Sequence, residues 1–162
     1  MVTIRKGTIA DMDAIMALLE SIFEGEQDIP HQLHAVPESQ KPEWWCADLD
    51  GRVVGTVALY LMEDGHWHMG RFVLSGNLRG QHVATRLLYA AMDDVFSPDR
   101  DIDIIYTESR DATVHILEKM GGIIVGEPRE FYKGAVTPVN LRKEDYLRNR
   151  AAGPVPENKS IS

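Results

Sequence analysis

Hydrophobic and polar positions alternate along this chain in two rhythms, and the switches between them mark out its elements. Val2 to Lys6 alternates apolar with polar up to Gly7-Thr8, the pattern of a short, half-buried strand. From Asp11-Met12-Asp13-Ala14 the period lengthens. Ile15, Leu18, Leu19, Ile22 and Phe23 recur at helical spacing, with Gly25 as the expected stop. Residues 26–42 carry Pro30, Pro37 and Pro42, which limit them to a loop with one brief helical turn near Gln32-Leu33-His34-Ala35. Trp44 to Leu49 then reads as a strand, Asp50-Gly51 as a hairpin turn, and Arg52 to Leu61 as the returning strand. A second tight turn at Asp64-Gly65 leads into Trp67 to Leu74, so these three strands form an antiparallel meander.

After Ser75-Gly76-Asn77 the helical period returns over about residues 80–96. Val83, Leu87, Leu88, Ala91 and Val95 share one face, and Ser97-Pro98 ends the run. Residues 101–106, with Ile102, Ile104 and Ile105, predict a fifth strand. A helix from Asp111 carries Val114, Leu117 and Met120 and closes at Gly121-Gly122. Ile123-Ile124-Val125, Phe131-Tyr132 and Val136 to Leu141 supply the last strands. From Asn149 onward, Pro154, Pro156 and the polar residues around them predict a disordered tail. Helices thus interleave with a largely antiparallel sheet. The fold class is α+β (mixed α/β), with one domain over residues 1–148 and a tail over 149–162.

Length and charge narrow the functional classes. The chain has 162 residues, enough for one well-buried core. Its 17 Lys+Arg against 25 Asp+Glu give a net charge of -8. That balance argues against duplex nucleic acid, whose binding rests on cations neutralising phosphates, and is compatible with cationic acceptors. No apolar run reaches membrane-spanning length, and the start lacks a signal-peptide pattern, so a cytoplasmic, membrane-free protein is expected. Cys46 is the single cysteine, which excludes an intrachain disulfide and a cysteine zinc cluster; it reads as a small packed hydrophobe.

The chemistry concentrates between Gly70 and Leu88. There a buried strand ends, a polar turn follows, and a helix starts on Arg79-Gly80-Gln81-His82-Val83-Ala84-Thr85. A helix N-terminus offers free N–H groups and positive dipole, a natural anion site. Gly80 and Ala84 would let a phosphate approach the backbone, and Arg79 adds a cation beside it. This resembles the pyrophosphate loop of the GNAT N-acyltransferases, patterned Gln/Arg-x-x-Gly-x-Gly/Ala. Arg79 matches its first position and Ala84 its last, whereas His82 replaces the middle glycine. The meander, the strand before the loop and Leu117-Glu118-Lys119-Met120-Gly121 also follow the family's order, so the resemblance spans about residues 2–141.

The resemblance implies a central, mostly antiparallel twisted sheet of six to seven strands flanked by about four helices. It implies acetyl-CoA as the acyl-donor substrate, bound between two splayed strands. Phe72, Val73 and Leu74 would meet its arm and thioester carbonyl through the backbone, an oxyanion-hole arrangement. Arg79, Gly80, Gln81, His82, Val83, Ala84 and Thr85 would hold the diphosphate. Arg110 stands where relatives often carry a coenzyme-holding Asn, and could grip a phosphate. Relatives often pair, so a homodimer is compatible with it.

Transfer to a small-molecule primary amine by direct attack needs a base and an acid. His68 occupies a strand position where some relatives carry their base, and a histidine titrates in a suitable range. Glu108, at the end of the fifth strand, could act through water or hold a cationic acceptor. His66 and His68 share a strand face, but no third ligand is suggested nearby, so no metal is expected. Leu117 stands where many relatives place a proton-donating tyrosine; His115 and Tyr132 are the nearby alternatives. The acceptor side falls to residues 26–42 and 130–137. A non-catalytic acyl-CoA-binding regulatory module, another acyl donor, or a protein amine as acceptor are the competing readings.

Overall fold

The computed structural model describes residues 1–78 and 82–152. The expectations placed on Arg79, Gly80 and Gln81, and on the tail from residue 153, lie outside the described residues. The strands are β1 (Val2–Lys6), β2 (Glu43–Leu49), β3 (Arg52–Leu61), β4 (Trp67–Leu74), β5 (Ile104–Ser109), β6 (Ile123–Ile124), β7 (Arg129–Glu130) and β8 (Ala135–Arg142). The helices are α1 (Met12–Leu19), α2 (Gly25–Gln27), α3 (Val83–Val95), α4 (Asp111–Lys119) and α5 (Lys143–Ala152). The sheet runs β1-β2-β3-β4-β5-β8-β6, with β7 also paired to β8. Its eight strands slightly exceed the expected six to seven because β6 and β7 are two-residue strands.

Every pairing is antiparallel except β4 with β5, which is parallel and held by one register pair, His68 with Tyr106. The sheet is therefore split at its centre. Its two faces carry separate cores, because successive strand residues point to opposite sides. Trp45 joins Leu87, Met92, Ile105 and Leu117 under α3 and α4, whereas its neighbours Trp44 and Cys46 join Ile15, Leu19 and Ile22 under α1. Cys46 is fully buried there, as expected of a small hydrophobe, and that burial pushes its thiol up to about 11.

Three elements depart from the sequence expectation. Gly25 does not stop the first helix. Residues Glu20–Glu24 widen into a π-helical turn, helix resumes as α2, and the chain leaves at Asp28 with φ 56°. The wider turn accommodates an extra residue, which lets both Ile22 and Phe23 reach the core. The strand expected at Phe131-Tyr132 forms two residues earlier as β7, because Tyr132 and Lys133 turn through positive φ and Phe131 N–H donates to the Gly134 carbonyl. The region from residue 149 is helical as far as Ala152. Tyr146 buries its ring and donates from its hydroxyl to Asp93 at 2.6 Å, while Arg150 forks onto the same carboxylate.

Candidate active site

The site begins with a fault in the β3–β4 ladder. Thr56 pairs with Val73 and Ala58 with Gly70, so β4 carries one residue more than β3 between those pairs. The bulge sits at Arg71, which adopts φ 51°. A bulge leaves the extra residue outside the ladder, bends the strand and re-aims its side chains. Here it does so beside the sole β4–β5 register pair, and cavities open on both sides of Phe72.

The first cavity, about 480 Å³, lies toward the β4 start and is lined by Tyr60, His68, Arg71, Tyr106, Glu108 and Phe131 among others. The second, about 490 Å³, lies toward the α3 start and is lined by Val73, Leu74, His82, Ala84, Thr85 and Ile116 among others. Gln27, Phe72, Arg110 and Thr113 line both, so the two are halves of one cleft.

Most of the residues expected to bind the coenzyme converge on the second cavity. At the α3 start, the first intrahelical bond runs from Arg86 N–H to the His82 carbonyl. The N–H groups of Val83, Ala84 and Thr85 thus precede any intrahelical acceptor, as in every helical first turn. His82 takes φ 61°, the left-handed conformation that glycine adopts most easily, at the place where the family pattern has glycine. Val83 corrects the expectation in part. Its side chain is 0% exposed and belongs to the core, so only its backbone is available for a ligand. Arg110 lines both cavities. Its guanidinium donates to the carbonyls of Phe131 at 2.7 Å and Tyr132 at 3.0 Å and to Gln27 at 3.1 Å, tying the β7–β8 turn to α2 across the cleft.

On the other side His68 stands between two tyrosines, its ring centroid 4.9 Å from Tyr106 and 6.1 Å from Tyr60. Burial holds its pKa below the ordinary histidine value, so the ring is neutral near pH 7 and able to take a proton. Glu108 shares the cavity but is not free: Tyr106 donates to one carboxylate oxygen at 3.2 Å, and Arg129 binds the other from Nε at 2.7 Å and from Nη2. His66 points elsewhere, exposed and paired with Asp64 at 3.5 Å. Leu117 is 1% exposed in the core, with Ile116 at the cleft wall instead. His115 and Tyr132 are exposed and line neither cavity.

Tyr60, Tyr106, Arg71 and Gln27 were not singled out in the sequence. Tyr60 was within reach, because the Asp64-Gly65 hairpin sets it opposite His68. Tyr106 shares a strand face with Glu108 two residues on. Nothing local signals Arg71, whose direction depends on the bulge.

The sequence pattern of the Acetyltransferase (GNAT) family matches residues 12–121. Escherichia coli ElaA is similar in structure with a TM-score of 0.71 at 17% identity, over 86% of this chain and 97% of that one. The aminoglycoside acetyltransferase AAC(6')-Ib in complex with coenzyme A gives 0.67 at 18%, over 93% and 99%. Mutant forms of the spermidine/spermine N-acetyltransferase SpeG from Vibrio cholerae give 0.69 at 18%, over 92% and 98%. No curated protein matches the chain. With a split sheet, a cleft through the split and a sequence that fits the family from α1 to the glycine turn after α4, this chain belongs to the GNAT acetyltransferase family.

Proposed function

We propose that this protein transfers an acetyl group from acetyl-CoA to a primary amine of a small molecule, by direct attack in a ternary complex. The observation that carries the reading is the continuity of the cleft. One half ends on the α3 N-terminus and the other on His68, and the bulged strand at Phe72 separates them. The first-turn amides of α3, with Arg79 and Gly80 beside them in sequence, suit a diphosphate. Backbone N–H groups at Phe72 to Leu74 suit the thioester oxygen as negative charge develops on it.

The amine nitrogen forms a bond to the carbonyl carbon while the carbon–sulfur bond breaks and sulfur leaves with the electron pair. His68 takes the proton that the amine sheds, a role its neutral ring supports. Leu117 supplies no proton to the thiolate. A thiol with a pKa near ~8.5 is a fair leaving group that solvent can protonate. Leu117 is also the feature that favours a second reading, a non-catalytic acyl-CoA-binding module.

Thermal unfolding with acetyl-CoA, CoA and succinyl-CoA tests the coenzyme half. Ligand at ~100 times its Kd adds about 2.7 kcal/mol, a rise of roughly 5–10 °C for a domain of this size. A rise accompanied by thiol release with an amine supports transfer. A rise with no turnover on any amine favours the binding module, and no rise with any thioester removes both readings.

A further inference from the structure

The acceptor half of the cleft has a charge opposite to that of the protein around it. The chain carries -8 overall. Yet its 480 Å³ cavity gathers Arg71, Arg110 and Arg129 around one carboxylate, Glu108. Arg129 and Glu108 neutralise each other. That leaves Arg71 and Arg110, and among the described residues neither meets a carboxylate at ion-pair distance.

Both are held by neutral acceptors. Arg71 donates to the His34 carbonyl at 3.2 Å, the Ala35 carbonyl at 3.0 Å and the Tyr60 hydroxyl at 3.1 Å. Arg110 is held by two carbonyls and the Gln27 side chain. Each side chain is thereby fixed in place with its charge uncompensated. Of the five N–H donors on a guanidinium, three are engaged in each case, so donors remain for a ligand. The rest of this wall is largely apolar, with Phe23, Ile29, Leu33, Met62 and Phe131.

We propose that the acceptor is an amino-acid-like molecule: a primary amine that also bears a carboxylate, held by Arg71 and Arg110, and an apolar or aromatic side chain seated on the hydrophobic wall. This rests on the acyltransferase reading above. A carboxylate matches the guanidinium fork and supplies the missing counter-charge. The amine of such a molecule lies within the same cavity as His68. A polycationic amine would instead bring like charges beside these two guanidiniums, with Glu108, the one carboxylate among the described residues lining this cavity, already engaged. The acidic overall balance, which suited cationic acceptors, is thus a property of the outer surface and not of the site.

Calorimetric titration of L-phenylalanine, L-leucine and L-methionine against phenethylamine, isoamylamine and 3-(methylthio)propylamine tests this on the intact protein, with and without CoA. Spermidine and O-phosphoethanolamine complete the set, and acetylated product is followed by mass spectrometry. At least one amino acid should bind, or be acetylated, better than its decarboxylated twin by about tenfold or more, the scale of one charge-assisted hydrogen bond. Arg71→Gln should shrink that preference toward unity while Arg71→Lys keeps part of it, a split that mere loosening of the 34–35 loop would not produce. The inference is overturned if the twins or spermidine bind equally well, if phosphoethanolamine wins, or if no amino acid binds. Failure of acetyl-CoA to stabilise the protein would instead sink the transferase reading, while titration without coenzyme still reports on the anion site.

Discussion

The two halves of the cleft enclose similar space, about 480 and 490 Å³, but they are assembled in different ways. The half proposed for the coenzyme draws mainly on the end of β4, the start of α3 and the first turns of α4, and the N–H groups it offers come from backbone at helix ends. The other half draws side chains from the π-helical turn after α1 and from α2, β3, β4, β5, α4, β7 and β8, and its character comes from which charges those distant segments bring together. A helix end works the same way whatever body is acetylated, so it can be shared widely. A side-chain constellation can be changed one residue at a time, so specificity resides there.

The sharpest way to break this division is at His68. His68→Gln should lower turnover by about 10²–10⁴, the scale of a lost general base, and leave the stabilisation by acetyl-CoA unchanged. Equal loss of both would mean that His68 serves to seat Tyr60 and Tyr106 rather than to accept a proton. The converse variant, Arg79→Ala, should weaken coenzyme binding by about 1.5–3 kcal/mol and leave the KM of the acceptor alone. Acetyl-CoA affinity that survives this change would remove the phosphate-loop assignment.

Leu117→Tyr probes whether the missing tyrosine matters to either half. Because Leu117 is fully packed, the larger side chain should cost about 1–3 kcal/mol of stability in urea melts and bring no gain in rate. A faster enzyme would return the proton-donor role to that position.

Smaller effects follow from pH. Burial disfavours the charged His68 ring, so the fold holds its pKa low and the base is lost only on acidification. The acid limb of kcat/KM should therefore fall below the ordinary ~6.5 of histidine, and a limb above it would exclude His68. Far from the cleft, hydrogen bonds from Arg5 and from the Thr8 N–H hold the Asp11 carboxyl well below the carboxylate range. Its contribution to stability is present above the unfolded pKa of ~3.9 and drains away as pH falls below it. Asp11→Asn should flatten the acid side of the stability curve while leaving both cavities unaffected.

Much of the fold was legible because its signals are local. The Asp50-Gly51 and Asp64-Gly65 turns placed β2, β3 and β4 to within a residue, and Gly121, at φ 105°, closed α4 as expected. The errors came where tertiary packing outweighed local preference. Gly25 is permissive rather than prohibitive, and the need to bury Ile22 and Phe23 carried the helix past it. Residues 143–152 have no apolar stripe to announce a helix. Their one buried anchor, Tyr146, finds Asp93 more than fifty residues away.

The same division runs through the site. By itself the sequence determined the order of elements, the helix that follows the third meander strand, and the strand that carries His68, because these depend on spacing and on turn chemistry within a few residues. Only the tertiary structure decided that β4 bulges at Arg71, that β4 parts from β5 after a single register pair, and that Glu108 is taken by Arg129. It alone set Arg71 and Arg110, thirty-nine positions apart, in one cavity of an acidic protein, with no ion-pair partner for either among the described residues. Charge composition sums over the whole surface, whereas a ligand responds to the few groups within reach of it, and only the fold selects which groups those are.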